Sequence, residues 1–247
     1  MKSVQEKINR LKKNIEQVIF GKSETIEFVI TCLLAKGHLL IEDVPGVGKT
    51  SLAHCLASSL HLDFKRIQFT NDLLPADITG VSIYDQQEKC FHFKQGPLFA
   101  NIVLADEINR STPRTQSALL EAMNEKQVSA DNNTHKLDEP FMVIATQNLI
   151  ESQGTYPLPE SQLDRFMFYI SMGYPSPDEE KRLLQEQSAR PGPENIETVL
   201  DKEEVLELQA RVNTVQIEPI LTDYILSIIT ATREDPNFSL GVSPRGG

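Results

Sequence analysis

Two glycines, a lysine and a threonine set the chemistry that this chain can attempt. Gly46, Gly48, Lys49 and Thr50 lie in HLLIEDVPGVGKT (38–50), where a short apolar run feeds a turn and a segment of helical period begins at Leu52. Strand, glycine turn, Lys-Thr and helix are the parts of a phosphate-cradling loop. Glycines let backbone N–H groups curl around an anion, a helix start adds more free N–H groups, and lysine adds a point charge. The loop residues Asp43, Val44, Pro45, Gly46, Val47, Gly48, Lys49, Thr50 and Ser51 are therefore expected to bind a nucleotide's phosphates. The strict pattern places glycine five residues before Gly48, and Asp43 stands there instead. Aspartate tolerates tight turns, so the expectation is an altered first turn in a working loop.

Two more apolar runs end in residues that nucleotide hydrolysis requires. Residues 102–105 (IVLA) end in Asp106-Glu107, and residues 141–145 end in Thr146-Gln147-Asn148. Each run alone has a bland reading, a helix cap for the two acids and a turn for the asparagine. Together, in this order on one sheet edge, they point to ATP chemistry. Thr50 and Asp106 are the expected magnesium ligands, Glu107 the base that positions water, and Asn148 a group that orients the water or the γ-phosphate. Such a transition state also wants an added positive charge, worth about three to five powers of ten in rate. Arg165, in LDRF (163–166), and Arg245, in SPR (243–245), are the candidates.

These groups need a scaffold that brings strand ends together. Strands alternating with helices over 39–170 predict an α/β parallel sheet. Ahead of it, Val4, Ile8, Leu11, Ile15 and Val18 recur at helical spacing, and Ser23 is expected to cap a second helix running to about residue 35. A helix is expected from Leu52 to about Leu60 and a strand over 64–69. Short strands at 81–84 and 90–93 around a polar turn read as an inserted hairpin. Pro113 opens a helix to about Glu125, and the last strand covers 166–170. Beyond the linker at 173–177 the pattern is helical only, over 178–187, 202–212 and 220–232.

Composition narrows the partners. The 247 residues carry 35 acids against 24 bases, a net charge of −11, which argues against a free nucleic-acid or acidic-membrane surface. Cys32, Cys55 and Cys90 form no Cys-x-x-Cys pair, and no His/Cys cluster suggests zinc. The sparse cysteines fit a reducing cytoplasm, the charged start has no signal-peptide core, and no apolar run is long enough to span a bilayer.

The chain resembles the MoxR family of AAA+ ATPases. The resemblance rests on the glycine loop together with RIQFTNDLLPADITG (66–80), GPLFANIVLADEINR (96–110), TQSALLEAMNEKQV (115–128) and FMVIATQNLIESQGTYPLPESQLDRF (141–166). It implies a P-loop AAA+ core over 1–173, with a helix-2 insert hairpin at about 80–95, and an incomplete helical lid over 174–247. It also implies a ring, usually a homo-hexamer, with ATP and Mg2+ at the subunit boundaries. On this resemblance Asp106-Glu107 match the Walker B acids and Asn148 the sensor 1 position. Arg165 is the finger reaching a neighbour's site, and Arg245 the sensor 2 arginine on its own subunit's nucleotide. Gly21, with Ile19 and Phe20, is expected beside the adenine. Family members continue past the position of Gly247, so Arg245 is expected on a frayed end.

The resemblance further implies a chaperone-like ATPase whose protein partner is typically a von Willebrand factor A-domain protein. A nucleic-acid motor, a metal-chelatase motor subunit and a nucleotide-gated switch are the alternatives. In the insert, Lys89 and Lys94 balance Asp85 and Glu88, which gives no basic surface for DNA. Glu107 and Arg165, both intact, speak for turnover.

Overall fold

The computed structural model describes residues 4–44, 46–130, 133–148, 154–185, 192–238 and 240–246. Pro45, residues 186–187 of the expected helix and the 190–191 part of the loop after it lie outside the described residues. The chain opens with α1 (Val4–Glu16), α2 (Ser23–Leu34), β1 (Leu39–Glu42), α3 (Lys49–Ser59) and β2 (Phe64–Gln68). Next come α4 (Pro75–Thr79), β3 (Gly80–Asp85), β4 (Cys90–Gln95), β5 (Ile102–Asp106), α5 (Pro113–Glu125), β6 (Gln127–Ala130) and β7 (Asn133–Lys136). The remainder is β8 (Met142–Gln147), α6 (Glu160–Leu163), β9 (Phe168–Ile170), α7 (Pro177–Gln185), α8 (Lys202–Val212) and α9 (Pro219–Glu234).

Apolar runs without polar alternation are strands buried on both faces. Three of them, β5, β8 and β1, form the centre of a five-stranded parallel sheet in the order β2-β5-β8-β1-β9, with the partly exposed β2 and β9 at its edges. The two-residue period divides their side chains between two cores. Ile102, Leu104, Met142, Ile144, Leu39 and Ile41 meet α1, α2 and α3 on one face. Val103, Ala105, Val143, Ala145 and Leu40 meet α5 on the other. The α/β class is as expected. From β1 the chain crosses over β8 and β5 to the far edge, which leaves the carboxyl ends of β5, β8 and β1 side by side. That is where an open α/β sheet binds ligands.

One buried histidine ties this sheet together. The His38 Nδ1 accepts from the Val143 N–H at 3.0 Å, and its Nε2 lies 3.1 Å from the Met123 carbonyl. A carbonyl only accepts, so Nε2 carries the proton and the ring is neutral. Burial, with the Lys126 charge adding to it and the Met123 bond opposing, lowers its pKa to about 4.

Several local expectations are corrected. Lys22, not Ser23, holds the N-cap of α2, and no side chain caps that end. The helix after the loop starts at Lys49, one turn before Leu52, with Gly48 as its left-handed N-cap. The α4 turn and the β6–β7 hairpin were not expected. β7 is polar throughout, and β6 alternates over only four residues, too short a run for period-two reasoning. The β3–β4 hairpin is present as a separate antiparallel sheet. It also brings Glu88, Cys90 and His92 together, a mixed cluster that the residue spacing had not suggested.

Among the described residues, the helices after residue 173 form no core of their own. Ile196, Leu200, Val205 and Leu208 join the α1–α2–α3 core, and Gln209 Nε2 donates to the Leu33 carbonyl at 2.7 Å. A capping box, Asp201 with Glu204, starts α8. By contrast, α9 buries no residue, and Ile220, Leu221 and Tyr224 are exposed on it. Among the described residues, no helix is long and apolar enough to cross a membrane.

Candidate active site

A cavity of about 370 Å³ opens at the carboxyl ends of the central strands. Gly46, Gly48, Lys49, Thr50 and Ser51 line it from the loop, and Asp106, Glu107, Thr146, Gln147 and Asn148 from the neighbouring strand ends. Two more residues, Arg66 and Gln68 of β2, complete the lining.

The loop takes its shape from two left-handed residues, Gly46 at φ 87° and Gly48 at φ 97°. A side chain at either would be strained. Lys49 Nζ donates to the carbonyls of Asp43 at 3.1 Å and Val44 at 3.2 Å, which draws the ammonium back over the loop. Val47 packs into the apolar core instead of lining the cavity.

Asp43 is expected among the phosphate-binding residues, but its carboxylate turns away from the cavity. Oδ2 accepts from the N–H groups of Met172 and Gly173, both at 2.6 Å, and from the Ser171 hydroxyl at 3.1 Å. Oδ1 accepts from the Val44 N–H at 2.8 Å. Burial alone would raise its pKa, but the bonds from Gly173, Val44, Met172 and Ser171 outweigh it and hold the carboxyl below its ordinary value. The side chain that replaces glycine thus fixes the first turn to the strand exit after β9.

The two acids reach the cavity by a backbone break. An extended strand would point residues 106 and 107 to opposite faces. Glu107 instead adopts φ 58°, a left-handed conformation that a glutamate rarely takes, and both carboxylates face the cavity. Thr146 braces the break, because its Oγ1 accepts from the Glu107 N–H at 2.8 Å and donates to Asp106 Oδ1 at 2.6 Å. Asp106 Oδ2 accepts from Arg66 Nη2 at 2.6 Å and Nε at 3.1 Å. Glu107 Oε2 accepts from Gln68 Nε2 at 2.9 Å and Arg110 Nη1 at 3.0 Å. Sequence reasoning missed Arg66 and Gln68, and named Thr146 only as part of a strand end, with no role of its own. The sequence carried only a weak signal, that Arg66 and Gln68 alternate on an expected strand; the register that sets Gln68 beside Asp106 comes with folding.

Asn148, buried at the end of β8, lines the same cavity. Gly21 does not; it stands at φ 67° beside Glu179 of α7. Its neighbour Ile19 does approach the loop, with Cδ1 at 3.9 Å from the point where a Cβ on Gly48 would lie. The structure does not bring either arginine to this cavity. Arg165 precedes β9, at the sheet edge opposite the loop, where Nη1 donates to the Leu120 carbonyl at 2.9 Å and Nε is buried without a partner. Arg245 lies by α6, with Nη1 3.9 Å from Asp164 Oδ2, and Ser243 Oγ donates to the other oxygen of Asp164 at 2.6 Å.

Known proteins are similar to this chain in sequence and in fold. Residues 38–168 match the model of the ATPase family associated with various cellular activities (AAA). The uncharacterized protein YeaC of Bacillus subtilis is 52% identical over 95% of this chain and 73% of its own length. Chaperone MoxR1 of Mycobacterium tuberculosis is 41% identical over 94% of this chain and 63% of its own. The crystal structure of a putative ATPase from Cytophaga hutchinsonii superposes with a TM-score of 0.88 at 40% identity, covering 98% of this chain and 76% of that one. The chain therefore spans about two thirds to three quarters of the length of these relatives. Loop, acids and asparagine converge on one parallel-sheet edge, and the sequence matches agree: the chain belongs to the AAA+ ATPases and, within them, to the MoxR family.

Proposed function

We propose that this chain is the motor of a chaperone-like cytoplasmic machine that hydrolyses ATP to remodel a protein partner, a von Willebrand factor A-domain protein. The observation that carries the reading is the convergence of Lys49, Thr50, Asp106, Glu107 and Asn148 on one cavity.

The roles follow from the chemistry of each group. Loop N–H groups and Lys49 hold the β- and γ-phosphates. Thr50 and Asp106 offer only oxygen donors, which suits a hard cation such as Mg2+. When bound, that ion draws charge from the phosphate oxygens. Glu107, held by Gln68 and Arg110, orients water toward the γ-phosphate, and Asn148 steadies the attacked group. Arg165 points away from its own chain's cavity, which supports a ring, a homo-hexamer, in which it completes a neighbour's site. Arg245 reads the nucleotide once the lid closes.

The protein partner is favoured by the net charge of −11 and by the charge balance of the insert hairpin. The test is Glu107→Gln. The variant is expected to keep ATP binding and to lose hydrolysis by roughly a hundredfold or more. Held with ATP, it should retain an A-domain protein from the native cell extract. Retention of DNA instead would overturn the protein-client reading, and undiminished hydrolysis would overturn the role of Glu107.

A further inference from the structure

We propose that Glu88, Cys90 and His92 bind one zinc-class divalent ion on the exposed face of the β3–β4 hairpin. The site is independent of the nucleotide cavity and of the proposed ATPase cycle.

Residues 88, 90 and 92 alternate, and a strand sends alternate side chains to the same face. Lys89, at φ 53°, turns the chain at the start of β4 and folds Glu88 back over that face. The turn is held in place by Asp85, whose Oδ1 accepts from the N–H groups of Gln87 at 2.7 Å and Glu88 at 3.1 Å. As a result His92 Nε2 lies 2.8 Å from Glu88 Oε2 and 3.1 Å from Cys90 Sγ, and Sγ lies 3.7 Å from Oε2.

That triangle is close to the one a metal needs. Zinc bonds of about 2.3 Å to sulfur and about 2.0–2.2 Å to nitrogen or oxygen, at tetrahedral angles, require ligand atoms roughly 3.4–3.6 Å apart. The three side chains must shift by about half an ångström. Imidazole and thiolate select a borderline-soft ion such as zinc over magnesium or calcium. On binding, the Cys90 thiol releases its proton to solvent, His92 offers the lone pair of neutral Nε2, and Glu88 offers a carboxylate oxygen. The two anionic ligands balance the two positive charges of the ion, and water takes the fourth position.

Cys90 is also the accessible thiol of this chain. Cys32 and Cys55 are buried, which pushes their thiols up to about 12. The hairpin is a two-stranded sheet outside both apolar cores, so the fold does not need these three polar side chains for its packing.

Cobalt(II) is the probe, because a thiolate ligand gives it a sulfur-to-metal charge-transfer band that oxygen ligands in the nucleotide cavity cannot. Titration of the full chain should give that band, saturating at one equivalent and bleached by equimolar zinc. Cys90→Ser should abolish it, and His92→Ala or Glu88→Gln should weaken binding by roughly tenfold or more. Circular dichroism melts of the metal-free proteins check that the variants are folded. Absence of a saturable sulfur band in the unsubstituted protein would overturn the proposal. So would a band that survives Cys90→Ser, or cobalt binding that His92→Ala leaves unchanged.

Discussion

Arg66 grips Asp106 through a single oxygen: Nη2 and Nε both donate to Oδ2, at 2.6 and 3.1 Å. Oδ1 is meanwhile bound by the Thr146 hydroxyl. The proposed magnesium ligand therefore has both oxygens engaged, and Arg66 and a metal ion compete for Oδ2. Arg66 is half exposed, so its hold on Asp106 is worth only about 1 kcal/mol. Arg66→Ala should lower the Mg2+ concentration for half-maximal hydrolysis by about fivefold, measured at saturating ATP. An unchanged or higher requirement would show that Arg66 acts otherwise, for example on the phosphates themselves.

Arg165 gives a prediction that depends on assembly. It lies at the sheet edge away from its own loop, bonded to Leu120. Arg165→Ala should leave ATP binding intact and cut hydrolysis by about a thousandfold. Mixing Arg165→Ala with Glu107→Gln subunits should restore turnover, because some interfaces then have both an intact finger and an intact base. Absence of rescue in a demonstrated ring would assign Arg165 a purely structural role through its Leu120 contact.

Asp43 makes four hydrogen bonds, so its removal strands the buried N–H of Met172 and the half-buried N–H of Gly173. Asp43→Ala should destabilise the protein by about 2–4 kcal/mol at neutral pH, read from urea unfolding. Its carboxyl pKa is held below the ordinary value of about 3.9. The ionised form is thus favoured by folding, and its contribution is fully present above that ordinary value. It is lost as pH falls through the lower folded-state value. The gap between wild type and variant should therefore narrow only below about pH 4.

His38 has the opposite charge logic. Folding holds it neutral, with a pKa of about 4 against an ordinary 6.5. Between those values the unfolded chain takes up a proton that the folded chain refuses, so stability falls as pH drops through this window. The full effect is roughly 3 kcal/mol. His38→Gln should be less stable than wild type at pH 7 yet show a flatter decline from pH 6.5 to 4. An equal slope in both proteins would place the acid sensitivity elsewhere.

Those parts of the site that end apolar strands were legible in the sequence. Residues 102–105 and 141–145 are apolar runs of strand length, too short for a helix, and the residues ending them were expected at a sheet edge. Strand order, which sets β5, β8 and β1 side by side, depends on long-range pairing that no local pattern records. Arg66 and Gln68 were hidden for that reason: their partners lie about 40 residues away, across a register fixed only by folding. The β6–β7 hairpin escaped because β6 is only four residues long and β7 is polar, and the Glu88–Cys90–His92 cluster because i, i+2, i+4 spacing reads first as ordinary strand alternation. Arg245 was legible as a residue but not as a position, since where it lands depends on how the segment after α9 packs against Asp164.

The Asp43 carboxylate has one further consequence. A single atom, Oδ2, holds the peptide that leads out of the sheet toward α7, while its partner Oδ1 holds the root of the phosphate loop. A glycine at 43 would satisfy the strict loop pattern and cut that tie. The substitution that makes this loop look defective in one dimension works as a pin in three: one carboxylate joins the root of the phosphate loop directly to the strand exit at residues 171–173.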